Sequence, residues 1–141
     1  MNKKIIIVAS IFILITLGIS LFIFRGYIFA NPAERTTMRF LSAIENQKFD
    51  TALTYVLPSE RDKFMTSQKI LETVSNIQDS NVQIKFSSLK YKTIKMDDKT
   101  AEVSVNGKLK YQFFDAAKQA TFDRNFKLIK KGKAWYIKSL L

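Results

Sequence analysis

Two periods divide the chain. After residue 81 apolar and polar side chains alternate, as in a strand with one buried face. Before it, apolar residues return every three or four positions, as on one face of a helix. Val82, Ile84 and Phe86 share one parity, whereas Leu89 and Tyr91 take the other, which predicts a bulge near Ser87-Ser88. Asp97-Asp98-Lys99 reads as a turn. The next strand puts Ala101, Val103, Val105, Gly107, Leu109, Tyr111 and Phe113 on one side. A straight strand of that length would reach about 45 Å, so a bend is expected at Asn106-Gly107.

Phe122, Phe126 and Leu128 continue the alternation, and Lys130-Lys131-Gly132-Lys133 supplies a polar turn before Ala134-Trp135-Tyr136-Ile137. If Ile129 closes that turn opposite Ala134, Leu128 faces Trp135 and Phe126 faces Ile137. Folding the preceding pair at Ala116-Ala117 sets Tyr111 against Phe122, Gly107 against Phe126, Val105 against Leu128, and Lys110 against Asp123.

The first half reads as helices. Asn31-Pro32-Ala33-Glu34 is a helix start, with Asn31 as cap, Pro32 at the first position and Glu34 reaching back. Ala33, Thr37, Phe40, Leu41 and Ile44 form its apolar face, and Glu45-Asn46-Gln47-Lys48 ends it. Asp50 is the expected cap of a second helix bearing Ala52, Leu53 and Val56, which Pro58 stops. Ser59 with Asp62 starts a short turn, and Ile70, Val74 and Ile77 mark a third helix.

Ahead of these elements, residues 5–24 carry no charge and are flanked by Lys3, Lys4 and Arg25. Twenty helical residues span about 30 Å, the thickness of a bilayer's hydrocarbon core. A cleaved signal peptide would have a shorter apolar region and small residues at the cut, which Ile28-Phe29-Ala30 supplies at one position only. The expectation is therefore an uncleaved single-pass signal-anchor over residues 1–30. Its four-residue tail is placed in the cytoplasm and the domain, residues 31–141, outside the cell membrane.

The expected fold class is α+β: an N-terminal transmembrane helix, then three helices packed on a bent antiparallel meander of about four strands, cone-shaped. The helix pair Phe40-Leu41-Ser42-Ala43-Ile44 and Phe49-Asp50-Thr51-Ala52, the long bent strand, and the ending Phe126-Lys127-Leu128 with Gly132-Lys133-Ala134-Trp135-Tyr136-Ile137 carry a family resemblance. Together they resemble the nuclear transport factor 2-like (cystatin-like cone) superfamily, in particular its small bacterial membrane-anchored members of unassigned function. Such a resemblance implies a range of activities: isomerases, dehydratases, binding modules and the assembly subunit of type IV secretion channels. No catalytic residue of those enzymes has a match in this chain.

Composition narrows the chemistry. Cysteine and histidine are absent, which removes disulfides, thiolate metal sites and the commonest general base near neutral pH. No catalytic residue, metal site or cofactor is expected. The net charge of +11 is unevenly spread: residues 81–141 hold 14 basic and 5 acidic side chains, whereas residues 31–80 hold 6 and 7. Alternation collects Lys90, Lys92, Lys108, Lys110, Lys127 and Lys138 on the outward face, and Lys130, Lys131 and Lys133 crowd the adjacent turn.

These lysines are the expected contact surface for an acidic partner protein, an anionic lipid or a wall polymer; the bland alternative is a solvated face. Nucleic acid is not expected, because aromatic and arginine side chains are sparse among them. Arg124 breaks the apolar face between Leu109 and Ser139. With the inward Tyr91 and Tyr111 it is a candidate contact for an anionic ligand, against a rim arginine with its head in water. The aromatic set Phe113, Phe122, Phe126 and Trp135 reads as core. The chain thus reads as a membrane-anchored, extracytoplasmic, non-catalytic binding or interaction domain. Alternatives are a self-associating scaffold subunit of a secretion or conjugation machine, and an isomerase- or dehydratase-like enzyme whose pocket carboxylate would come from a helix.

Overall fold

The computed structural model describes residues 30–66, 82–113 and 116–141. Pro32–Leu141 forms one compact unit. Helix α1 (Pro32–Glu45) leads into α2 (Phe49–Thr54), a 3-10 turn (Pro58–Glu60) and α3 (Arg61–Thr66). Four strands follow: β1 (Val82–Met96), β2 (Thr100–Phe113), β3 (Ala116–Lys131) and β4 (Ala134–Leu140). They form one antiparallel sheet in the order β1-β2-β3-β4.

The expected transmembrane helix is corrected. Among the described residues no helix is long and apolar enough to cross a membrane. The longest, α1, has 14 residues, which is about 21 Å, and it carries Glu34, Arg35, Arg39 and Glu45. The uncharged run 5–24 and its orientation fall outside the described residues, as does the third helix expected around Ile70, Val74 and Ile77. The membrane-anchored, signal-anchor reading is therefore not carried further.

Local chemistry explains the helices. Helix α1 begins at Pro32, where a missing amide costs nothing. It ends where Gln47 turns to φ 58°, letting the Lys48 amide donate to Ala43 O at 2.8 Å. Glu34, expected to reach back to its own helix start, accepts bonds from Thr93 of β1. Asp50 does not cap α2: the cap position is Lys48, with no side-chain bond, and Asp50 lies in the first turn. The hydroxyl of buried Thr37 donates to Ala33 O at 3.1 Å, which lets a polar residue sit in the core.

The core lies between the helices and the inner face of the sheet. Phe40 of α1 meets Phe64 of α3 and Phe126 of β3 edge-on, with ring centroids 6.0 and 6.1 Å apart. Val103, Val105, Phe126, Leu128, Trp135 and Ile137 complete the layer, all buried. Beyond it, Ile84 and Leu109 form a second cluster bordered by Phe49, Phe86, Tyr111 and Phe122. The free edge of β4 is covered by the segment after α2. There Ile137 donates to Tyr55 O, and Leu57 donates to Ile137 O, both at 2.8 Å.

The strand registers differ from those expected. Gly107 lies opposite Phe122, Val105 opposite Arg124, Val103 opposite Phe126 and Ala101 opposite Leu128. The link from β2 to β3 follows the pair Phe113 and Ala116, so the reversal falls before Ala116-Ala117. In the last hairpin Lys131 faces Ala134, with Gly132 at φ 61°, and Leu128 faces Ile137 while Lys130 faces Trp135. Both slips are even. An even slip leaves every side chain on its face, so alternation alone cannot choose among such registers and the turns decide.

Candidate functional site on the outer face of the sheet

The site begins with two interruptions of β1. The first lies between Ser87 and Lys90, as the change of parity predicts; Ser88 takes φ 55°, and two residues oppose the single Gly107. A side chain at Gly107 would have no room. A Cβ there would come within 2.7 Å of Leu89 Cδ2, 3.0 Å of Ser87 O and 3.1 Å of Leu89 Cα. The second interruption, between Thr93 and Lys95, adds Ile94.

Each interruption is held from α1. The Phe86 amide donates to Glu45 Oε2 at 3.1 Å, just before the first. At the second, the Thr93 amide and hydroxyl donate to Glu34 Oε1 at 3.0 and 2.7 Å. Because β1 is an edge strand, one row of its amides has no neighbouring strand, and the two carboxylates satisfy members of that row.

The bulges decide which way the β1 lysines point. Each extra residue inverts the alternation, so Lys85, then Lys90 and Lys92, then Lys95 all share the outer face. An uninterrupted strand would send Lys90 and Lys92 inward. Across the sheet these residues pair with outer positions of β2: Lys85 with Lys110, Ser87 with Lys108, Lys90 with Asn106, Lys92 with Ser104, Lys95 with Glu102. Every one of those lysines is exposed, and none forms an ion pair among the described residues. Two acidic side chains share the face. Glu102 lies between Lys95 and Lys127 and accepts from Asn125 Nδ2 at 3.3 Å, and Asp123 lies opposite Asn106. Lys110 therefore faces Lys85 and Gln119, not Asp123 as expected.

Of the remaining expected contacts, Lys127 is exposed on the outer face, and Lys138 is exposed where the β3–β4 register shifts. Lys131 and Lys133 are exposed about the last turn. Lys130 shares a rung with Trp135 and so belongs to the opposite face, its ammonium still in solvent.

On the inner face, Tyr91 and Arg124 occupy one rung, on either side of buried Val105. Half-buried Tyr91 is pushed up to about 12, first by desolvation and then by the Glu45 carboxylate. Arg124 is exposed and donates to the neighbouring Asp123 O at 2.8 Å; its expected neighbour Leu109 pairs with Ala120, and Ser139 pairs with Lys127. Tyr111 lies three inner-face positions along β2, beside Ile84 and opposite Lys118, so the three candidate contacts do not form one cluster. Among the described residues no group of three or more metal-ligating side chains comes together.

No family model matches the chain, and no curated protein does. Among solved structures it is similar to RPA3114, a SEC-C motif containing protein from Rhodopseudomonas palustris. That match has a TM-score of 0.46 and 12% identity, over 72% of this chain and 70% of the other. A likeness of that size carries neither family nor function. The resemblance to the nuclear transport factor 2-like superfamily finds no support among family models or curated proteins and is withdrawn. Helix pairing, a long strand and an apolar final strand serve the packing of helices on a meander, so they do not by themselves mark kinship.

Four residues of the site, Lys85, Lys95, Glu34 and Glu45, were not among the expected contacts. Lys85 was legible, since it alternates with Ile84. Lys95 was not, because its direction depends on a second bulge that no local signal marks. Glu34 and Glu45 carry no signal either: their roles exist only because α1 lies along β1.

Proposed function

We propose that this protein is a non-catalytic binding domain that holds an anionic macromolecule against the outer face of its sheet. The observation behind the reading is the set of lysines, without an ion pair among the described residues, gathered on one face of β1 and β2, with two like charges, Lys85 and Lys110, directly opposite one another. Like charges opposite each other destabilise a sheet, and a bound anion relieves that repulsion. Glu34 and Glu45, the carboxylates that helix α1 brings to the sheet, are engaged on β1 amides, which favours binding over acid–base chemistry.

The test is retention of the full chain, kept in a non-ionic detergent, on an immobilised polyanion under a salt gradient. Binding at low salt should be lost as salt rises. Changing Lys108, Lys110 and Lys127 to Gln should advance elution more than the equal charge loss of Lys118, Lys131 and Lys133 to Gln. Equal shifts, or no retention at low salt, would overturn the reading.

A further inference from the structure

The lysines of the outer face do more than accumulate; they form a line. Follow the outer positions of β2 from Lys110 to Glu102. The first rung carries Lys110 with Lys85, the next Lys108, then Lys90 opposite Asn106, Lys92 opposite Ser104, and Lys95 opposite Glu102. Five successive rungs thus each carry a lysine on β1 or β2, with steps of about 6.7 Å, so the line runs about 27 Å along the strands. Where β1 has Ser87 instead of lysine, Lys108 on the adjoining strand fills the place. A single carboxylate, Glu102, lies within the line, at its end.

Resting on the reading of the outer face above, the geometry points to a linear phosphodiester polymer without bases as the ligand, a polyol phosphate laid along β1 and β2. Three observations select this chemistry. A row of evenly stepped charges, with one lysine on each of the four rungs after the Lys85–Lys110 pair, matches a chain carrying one charge per repeat, and an extended three-carbon phosphodiester repeat is comparable to one step. A compact acidic protein surface would be met by a round patch, and the lysines thin out on β3, where Lys127 is the one outer lysine of the rungs concerned. Finally, among the described residues the outer positions of these rungs hold no arginine and no aromatic side chain. Bases are read by stacking and by planar, bidentate donors, and a row of lysines offers neither.

Both bulges are needed for this arrangement. The first brings Lys90 and Lys92 to the outer face, and the second brings Lys95 there. Glu45 and Glu34, which hold the amides beside the bulges, thereby set the phase of the line from the other side of the strand.

The experiment titrates the full chain in non-ionic detergent with poly(glycerol phosphate) at a series of salt concentrations. Each phosphate neutralised contributes about −0.7 to the slope of log K against log salt, as for flexible single strands. Changing Lys85, Lys90, Lys92 and Lys95 together to Gln should reduce that slope by about 3, and Lys92→Gln alone by about 0.7. Changing Lys118, Lys130, Lys131 and Lys133 to Gln removes equal charge away from the line and should alter the slope by under about 1. An unchanged circular dichroism spectrum verifies that each variant folds. Equal losses from the two quadruple variants would overturn the line. Oligo-dT binding as tightly as the polyol phosphate would overturn the exclusion of bases, and polyglutamate doing so would overturn the phosphodiester. If the chain ignores poly(glycerol phosphate) but is still retained on the immobilised polyanion through Lys108, Lys110 and Lys127, this inference fails and the broader reading stands. Failure of both experiments removes both.

Discussion

The two faces of the sheet are made by alternate residues of the same strands, yet they are held in different ways. On the inner face Val103, Val105, Phe126 and Ile137 are fully buried and meet the helices side chain to side chain. On the outer face Lys85, Lys90, Lys92, Lys108 and Lys110 are exposed and meet no carboxylate among the described residues. The dependence runs one way. Inner-face contacts and the two carboxylates of α1 set the bulges, and the bulges set where the outer lysines stand. Removing an outer lysine leaves the inner face as it was. Stability and binding should therefore separate, which substitutions on the two faces can break or sharpen.

The largest effect is expected from Phe126→Ala. Phe126 is fully buried and packs edge-on against Phe40, so the cavity left behind should cost about 3–5 kcal/mol, read from denaturant unfolding. A cost below about 1 kcal/mol would mean that the helices do not cover this face.

Gly107→Ala comes next, and it tests the link between the faces. The added methyl meets the end of Leu89, which can move, but also Ser87 O and Leu89 Cα, which belong to the backbone of the bulge. A loss of about 1–3 kcal/mol is expected, with amide chemical shifts changing at residues 87–90 and weaker polyanion binding. Lost stability with unchanged shifts at the bulge would disconnect the two faces.

Tyr91 supplies a pH dependence. Its phenol is raised from the ordinary 10.0 to about 12, so the folded protein holds this proton where the unfolded chain has released it. Its contribution is complete below pH 10 and falls as pH rises from 10 to about 12. Allowing for solvent at the half-buried ring, about 1–2 kcal/mol should disappear over that window, and Tyr91→Phe should remove this part of the alkaline decline. An identical alkaline limb in the variant would place the ring in water.

The smallest effect is Lys110→Gln. It relieves the like-charge pair with Lys85 and breaks no ion pair among the described residues, so stability should rise by no more than about 0.5 kcal/mol at low salt and converge with the parent at high salt. A cost above about 1 kcal/mol would show the outer face to be packed rather than solvated.

How much of this was legible depends on the range of the interaction responsible. The alternation of Ala101, Val103, Val105, Leu109, Phe126 and Leu128, the helix start at Pro32 and the turn at Gly132 are local. So is the turn after β1. There Asp97 accepts from the Lys99 and Thr100 amides, each at 2.7 Å, and these bonds hold its carboxyl below the usual range. Backbone sterics and short-range hydrogen bonds act within a few residues, and a single chain displays them directly.

Register, the second bulge and the roles of Glu34 and Glu45 could not be read in that way. An even slip of β3 against β2 preserves every periodicity, so choosing between Phe122 and Phe126 as the partner of Gly107 takes the length of the turn and the packing of the finished core. Glu34 and Thr93 are 59 residues apart in the chain, and Glu45 and Phe86 are 41 apart. Nothing near either glutamate records that a strand edge with unpaired amides will arrive beside it. The sequence alone determined which residues alternate and that lysines lie among the polar ones. Only the tertiary structure decided their line, because the phase of β1 is set by contacts that exist once helix and sheet have met.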